Sequence, residues 1–204
     1  AGGRGRHFQA REGDVMNADL LVYQAKAFYN AYIALDQLSR DDSDTLLLLF
    51  APLVVNGAFS VELALKAILA KNQIEYGKEH NLLILFQMLP KSFQQELWAY
   101  LIEKAPEYAG SEKGLDELIL LSNAFVDWRY AFEGKPVPAI ESRFLAAFAN
   151  AAVHTMFSYY NVDLLPATKT ESNNEIEQRF HENREKCKEI NLKMIQKKTK
   201  EHQL

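Results

Sequence analysis

Apolar residues recur every three or four positions over most of this chain, and that spacing is typical of amphipathic helices. No stretch shows the strict alternation of apolar and polar residues that a half-buried strand requires. We therefore predict an all-α fold, an up-and-down bundle of five or six helices with an extra charged helix at its C-terminal side. The predicted bundle helices cover residues 16–39, 45–71, 81–89, 92–105, 115–133 and 139–161.

The helix predicted over residues 45–71 is apolar on nearly all sides, which indicates a central position in the bundle. Residues 46–61 carry no charge, but a membrane-spanning helix needs about 20 apolar residues. We therefore expect a buried core helix and no membrane association. Pro52 should kink this helix or divide it into two segments.

Three other helix boundaries carry a local signal. Pro90 should end the helix over residues 81–89. The spacing of Ser92 and Gln95 predicts a capping box at the start of the next helix. Gly134 and Pro136 should end the helix over residues 115–133.

The chain is expected to contain one folded domain. Residues 1–15 should be a disordered extension before a natural start at Met16, residues 16–161 the helical bundle, and residues 162–174 a linker. Residues 175–204 should form a C-terminal amphipathic helix, because apolar residues there recur at coiled-coil spacing. The end of this segment is rich in lysine, so three interpretations remain open: a solvated helix, a dimerisation or partner helix, and a nucleic-acid tail.

Composition excludes several classes of protein. The chain has 204 residues and a net charge of −4, so it is not a polycation that coats nucleic acid. Its single cysteine, Cys187, excludes an intrachain disulfide and a zinc site built from several cysteines. The five histidines show no metal-ligand spacing, so we expect no metal and no cofactor. The low cysteine content leads us to expect a cytoplasmic location.

Charged residues on apolar helix faces are the best candidates for a site. Glu62 and Lys66 are the only charges between Leu46 and Ala70, and their spacing of four allows them to pair on one face. A buried charge requires such a partner.

Arg129 presents the same question in the sequence NAFVDWRYAFEGKP. It lies four residues after Phe125, so on a continuous helix over residues 115–133 it falls inside the apolar face, beside Trp128 and Tyr130. We expect Arg129 to be an enclosed anchor paired with Glu133 or Glu62. His80 is either a cap or loop histidine or a polar partner of Arg129.

Three segments taken together resemble the HEPN superfamily: NGAFSVELALKAILA (56–70), HNLLILFQMLP (80–90) and DWRYAFEG (127–134). The resemblance covers roughly residues 16–160. It implies a small helical bundle that is often a homodimer and is common in bacterial toxin–antitoxin and defence systems. Many members are metal-independent ribonucleases that carry an arginine and, four to six residues later, a histidine on one helix.

This chain departs from that nuclease pattern. No histidine follows Arg129 at that spacing, and the next histidine after Arg143 is His154, eleven residues later. We therefore expect a non-catalytic HEPN-like module whose polar cluster, with Glu62, Lys66, His80, Arg129 and Glu133, fixes the helices or binds a nucleotide, RNA or protein partner. The alternatives are a metal-independent endoribonuclease with a displaced pair, His80 and Arg129, and an immunity- or antitoxin-type interaction subunit.

Overall fold

The computed structural model describes residues 18–39, 43–109, 112–130, 133 and 138–161, with the side chains of residues 43–48 left out. The chain divides into two units, residues 1–162 and residues 163–204, and all described residues belong to the first. The expected extension over residues 1–15, the linker over residues 162–174 and the C-terminal helix over residues 175–204 lie outside the described residues.

The described part of the chain contains seven α-helices and no strand, which confirms the all-α prediction. A short 3-10 turn, Pro106–Tyr108, follows the fourth helix. The helices are α1 (Ala18–Ser39), α2 (Ser43–Lys71), α3 (Leu82–Met88), α4 (Lys91–Lys104), α5 (Glu112–Leu121), α6 (Ala124–Arg129) and α7 (Ser142–Tyr160).

Helix α2 occupies the centre of the bundle, as its apolar sequence predicts, and packs against α1, α3, α6 and α7. It runs through Pro52 as one helix, and the side-chain amide of Asn56 donates to the carbonyl of Pro52 (2.7 Å). At Gly57 a Cβ atom would lie 3.0 Å from the ring of Tyr32 on α1 and 3.1 Å from Leu145 on α7. Glycine therefore allows three helices to approach closely at this point.

The segment Leu49–Lys71 is long and apolar enough to pass a test for a membrane span. However, 78% of its most apolar window is buried inside the bundle. This burial is what a core helix requires, so the expectation of a buried core helix agrees with the structure.

The prediction of one helix over residues 115–133 is wrong, because the helix is interrupted between α5 and α6. The hydroxyl of Ser122 donates to the carbonyl of Leu118 (2.9 Å), while its backbone carbonyl accepts from the amide of Leu82 (2.8 Å). Asn123 then adopts a non-helical conformation, with φ −111° and ψ 12°. A contact with α3 thus takes the place of the next helical hydrogen bond.

The predicted capping box at Ser92 is also wrong. Helix α4 begins one residue after Pro90, which is its N-cap and makes no side-chain hydrogen bond there. The side-chain amide of Gln94 instead donates to the carbonyls of Gln87 and Leu89 (3.0 and 2.7 Å) and joins α4 to the end of α3.

Candidate functional site

A buried ion pair on α2 forms the base of the candidate site. The Nζ atom of Lys66 lies 2.7 Å from Oε1 of Glu62, and both side chains are almost fully buried. Their spacing of four places them one turn apart on the same face, as the sequence predicts. Because an unpaired charge in this position would be strongly unfavourable, each residue stabilises the charged state of the other.

His80 also contacts this ion pair, from the loop before α3. Its Nδ1 atom lies 2.9 Å from the same oxygen of Glu62, while half of the histidine side chain is exposed. A carboxylate can only accept hydrogen bonds, so Nδ1 carries a proton and, in the neutral ring, Nε2 is the free acceptor. The buried carboxylate thereby fixes the orientation of a half-exposed imidazole.

Tyr76 completes the buried side of the cluster, and it was not among the predicted site residues. Lys66 Nζ lies 5.4 Å from the centroid of its ring. Burial, and then the negative charge of Glu62, raise the pKa of the Tyr76 hydroxyl. The second oxygen of Glu62, Oε2, is buried with no hydrogen-bond partner within the described ranges.

The start of α3 is tied to the junction of α5 and α6. Besides the backbone bond from Leu82 to Ser122, the side-chain amide of Asn81 donates to the side-chain oxygen of Asn123 (3.1 Å). The side chain of Asn81 also caps α3 by accepting from the amide of Ile84 (3.0 Å). These bonds bring the loop that carries His80 next to α6.

Phe125 on α6 lies next to both His80 and Arg129, the two residues considered for a functional role. Its ring stacks on Phe59 of α2, with the centroids 4.3 Å apart and the planes 15° apart. The His80 ring lies 6.5 Å from the Phe125 centroid, and the guanidinium carbon of Arg129 lies 4.9 Å from it. His80 and Arg129 therefore flank the same aromatic ring.

The prediction that Arg129 is an enclosed anchor is wrong, because this residue is exposed. The break at Asn123 starts a new short helix, so the phase calculated for a continuous helix does not apply. The guanidinium of Arg129 donates to the hydroxyl of Tyr130 (2.7 Å) and lies 4.6 Å from the centroid of that ring. Glu62, one of its two expected partners, instead accepts from Lys66 and His80.

The other predicted site residues lie around this centre. Tyr130 is 39% exposed, and Glu133 is exposed in a short turn after α6. Trp128 is partly buried and makes an edge-to-face contact with Phe50 of α2 (5.0 Å between centroids). Trp128 is therefore a packing residue, whereas Tyr130 faces solvent beside Arg129.

Arg143 and His154, the other arginine and histidine considered for a nuclease motif, serve separate contacts. Arg143 pairs with Glu107 (2.6 Å), near the start of α7. The ring of His154 stacks on Tyr100 of α4 at 3.9 Å, and its Nδ1 atom is buried without a hydrogen-bond partner among the described residues.

Residues 51–142 match the family described as the HEPN domain. This match supports membership of the HEPN superfamily, in agreement with the resemblance of the sequence. The matched HEPN region begins within α2 and ends at the start of α7, so it contains Glu62, His80 and Arg129. The chain matches no curated protein and no solved structure.

No group of three or more histidine, cysteine, aspartate or glutamate side chains that could hold a metal ion occurs in the described ranges. The functional groups around Phe125 are the exposed guanidinium of Arg129, the half-exposed imidazole of His80 and the partly exposed ring of Tyr130. These groups can bind an anion and support proton transfer.

Proposed function

We propose that this HEPN domain is a non-catalytic binding module for a phosphate-bearing ligand, an RNA or a nucleotide, and that Arg129 and His80 contact the phosphate. The observation that carries this proposal is their common position beside the Phe125 ring, with both side chains open to solvent. A general HEPN function, as a nuclease or a binding module, is consistent with this arrangement.

Arg129 suits a phosphate contact for geometric reasons. The guanidinium carbon of Arg129 lies 4.9 Å from the centroid of the Phe125 ring and 4.6 Å from that of Tyr130, and contacts with ring faces leave N–H groups available for a ligand. Only one of its donors is used by the hydroxyl of Tyr130. An arginine can bind phosphate oxygens in a bidentate manner, which a lysine cannot do.

The buried pair on α2 would support the other half of this site. Glu62 holds His80 through Nδ1, and Lys66 compensates the charge of Glu62. Because Nδ1 is engaged by Glu62, Nε2 is the nitrogen that would contact the phosphate, and it donates to a phosphate oxygen when the imidazole is protonated. The partly exposed ring of Tyr130 adds a surface on which a base can stack.

The test is a binding titration with a fluorescent single-stranded RNA and with AMP, using the full chain. We expect Arg129→Ala to weaken binding roughly tenfold or more, and to lower the salt dependence of RNA binding by about one phosphate contact. Arg143→Ala is the matched control, because Arg143 is also an exposed arginine but pairs with Glu107. Equal losses in the two variants, or no binding by the unmodified chain, would contradict the proposal.

A metal-independent endoribonuclease is the second candidate, and the contact between Glu62 and His80 favours it. An imidazole oriented by a carboxylate can accept the proton of a ribose 2′-hydroxyl, and a nearby arginine can stabilise the charge on phosphorus. RNA cleavage that persists in EDTA and is abolished by His80→Ala and by Arg129→Ala would establish this activity. RNA that stays intact at high protein concentration would leave only the binding module.

The setting we propose is a homodimer in the bacterial cytoplasm, within a defence or toxin–antitoxin system; an immunity- or antitoxin-type interaction subunit is the alternative. The support for this setting is the HEPN domain itself. Light scattering on the full chain tests the oligomeric part: a monomer at micromolar concentration would contradict it.

A further inference from the structure

An apolar groove of about 580 Å³ lies between α4 and α5 and shares no residue with the Arg129–His80 site. Its polar residues are Lys91, Gln94 and Gln95, at one end of α4. Its apolar lining consists of Phe86, Trp98, Ala99, Ile102, Leu115 and Leu118. An apolar surface with a few polar groups at one end is typical of a binding site.

The groove follows the whole length of α4. Residues from Lys91 to Ile102 line it at intervals of three and four, which corresponds to three turns and a length of about 16 Å. The neighbouring face of α4 carries Leu97 and Leu101, which are fully buried in the core. The ring of Trp98 packs closely on the backbone of α5 at Gly114, where a Cβ would lie 2.9 Å away.

The apolar surface continues beyond the groove on α5. Leu115 and Ile119, one turn apart on the same face of α5, are 47% and 51% exposed. Exposed apolar residues beside an apolar groove are typical of a protein contact. A helix laid in a groove needs a surface of about this length.

One end of the groove is positively charged. Lys91 is the first residue of α4, and the first turn of α4 contains no acidic residue. The Nζ atom of Lys91 donates to the side-chain oxygen of Gln94 (3.0 Å), a neutral group. The positive end of the helix dipole adds to this charge, so this end of the groove is complementary to a carboxylate.

We propose that this groove is the docking site for an amphipathic helix of a partner protein. The helix would place aliphatic side chains, one turn apart over about three turns, against Trp98, Ile102 and Leu115, with a glutamate or aspartate opposite Lys91. This inference is independent of the phosphate site.

The probe is a display library of helical peptides of about 12 residues, the length of three turns, randomised on one face and selected against the full chain. Trp128→Phe leaves Trp98 as the only tryptophan, so its fluorescence reports occupation of the groove. We expect the selected peptides to carry leucine-like residues at helical spacing and an acid at one end, and to change the Trp98 emission.

Three variants make this test specific. Leu115→Glu should weaken the best selected peptide about tenfold or more, whereas Leu38→Glu, the same change at an exposed leucine of α1, should have no effect. Peptides selected against the Lys91→Glu variant should carry a basic residue, in place of the acidic one, at the end that lies opposite residue 91. The proposal would be overturned if the selected peptides bind the Leu115→Glu variant as tightly as the original chain. It would also be overturned if peptides selected against the Lys91→Glu variant still carry an acidic residue at that end.

The same test distinguishes two other occupants of the groove. If no helical peptide is selected and Leu115→Glu converts an oligomer to a smaller species in light scattering, the groove is a contact between copies of this chain. If decanoate changes the Trp98 emission while no selected peptide does, the groove binds a small amphiphile. Each of these results overturns the proposal of a partner helix.

Discussion

Two charged regions of this molecule have similar sequence patterns and opposite environments. Glu62 and Lys66 lie on an apolar face of α2 and are buried against each other, with 2.7 Å between them. Arg129 also follows a phenylalanine by one helical turn, yet its side chain is exposed over aromatic rings. Glu62 and Lys66 therefore stabilise each other, whereas the guanidinium of Arg129 is exposed to solvent.

The difference shows that helical phase predicts burial only where the helix is continuous. Helix α2 runs unbroken for 29 residues, so phase is preserved from its start to Lys66. The segment before Arg129 breaks at Ser122 and Asn123, where hydrogen bonds to α3 take over from the helical ladder. The phase of Arg129 is therefore set by the six-residue helix α6 and its contact with α2.

The largest effect on stability is expected when one member of the buried pair of Glu62 and Lys66 is replaced. Lys66→Met should lower the free energy of unfolding by about 3–5 kcal/mol, because Glu62 would remain buried without its main compensating charge. Urea denaturation followed by circular dichroism measures this change. Lys104→Met is the matched control and should leave stability nearly unchanged, since Lys104 pairs with Glu103 at the surface.

The double variant Glu62→Leu/Lys66→Met sharpens this prediction. It should recover most of the stability lost in Lys66→Met, because no buried charge would remain. If the single variant is as stable as the original chain, the pair is not buried in solution as the structure shows it.

The next largest effect is expected at the aromatic ring that joins the two regions. Phe125→Ala should lower the free energy of unfolding by about 2 kcal/mol, because the ring is partly buried and stacks on Phe59. The same variant should weaken RNA binding, since Arg129 would lose one of its two supporting rings. Full retention of binding would show that Phe125 does not position the arginine.

A smaller effect is expected at high pH, from Tyr76. Its pKa is raised above the ordinary value of 10.0, so the folded state favours the neutral hydroxyl. This contribution to stability is fully present below pH 10 and is lost as the pH rises through the raised pKa. In thermal unfolding above pH 10, Tyr76→Phe should therefore lose less stability than the original chain; parallel losses would contradict the buried position of Tyr76 beside Glu62.

The smallest effect on stability is expected for Arg129→Met. The side chain is exposed and its ring contacts are at the surface, so the free energy of unfolding should change by less than about 1 kcal/mol. Because the replacement residue is the same as in Lys66→Met, urea denaturation of the two variants compares the two regions directly. A loss as large as that of Lys66→Met would mean that Arg129 is an enclosed anchor after all.

Much of the fold is predictable from the sequence, because five of the six predicted bundle helices follow from apolar spacing alone. The break between α5 and α6 is not predictable in this way, because it depends on the contact of Leu82 with Ser122, forty residues apart in the chain. The capping box at Ser92 fails for a related reason: Gln94 bonds to the end of α3 instead.

The site is partly predictable. The pairing of Glu62 and Lys66 follows from their spacing, and the position of His80 beside them follows only from the fold. Tyr76 lies in a loop with no periodicity, so no local signal marks it. The exposure of Arg129 depends on where α6 begins, and the sequence contains no glycine or proline at that boundary.

The most direct test of the proposed site is to follow nitrogen-15 signals of arginine and histidine side chains by NMR during a titration with AMP. We expect the signals of Arg129 Nε and His80 Nε2 to shift together and to saturate at one concentration, while the signal of Arg143 Nε stays in place. A titration that moves Arg143 and leaves Arg129 and His80 unchanged would contradict a phosphate site beside Phe125.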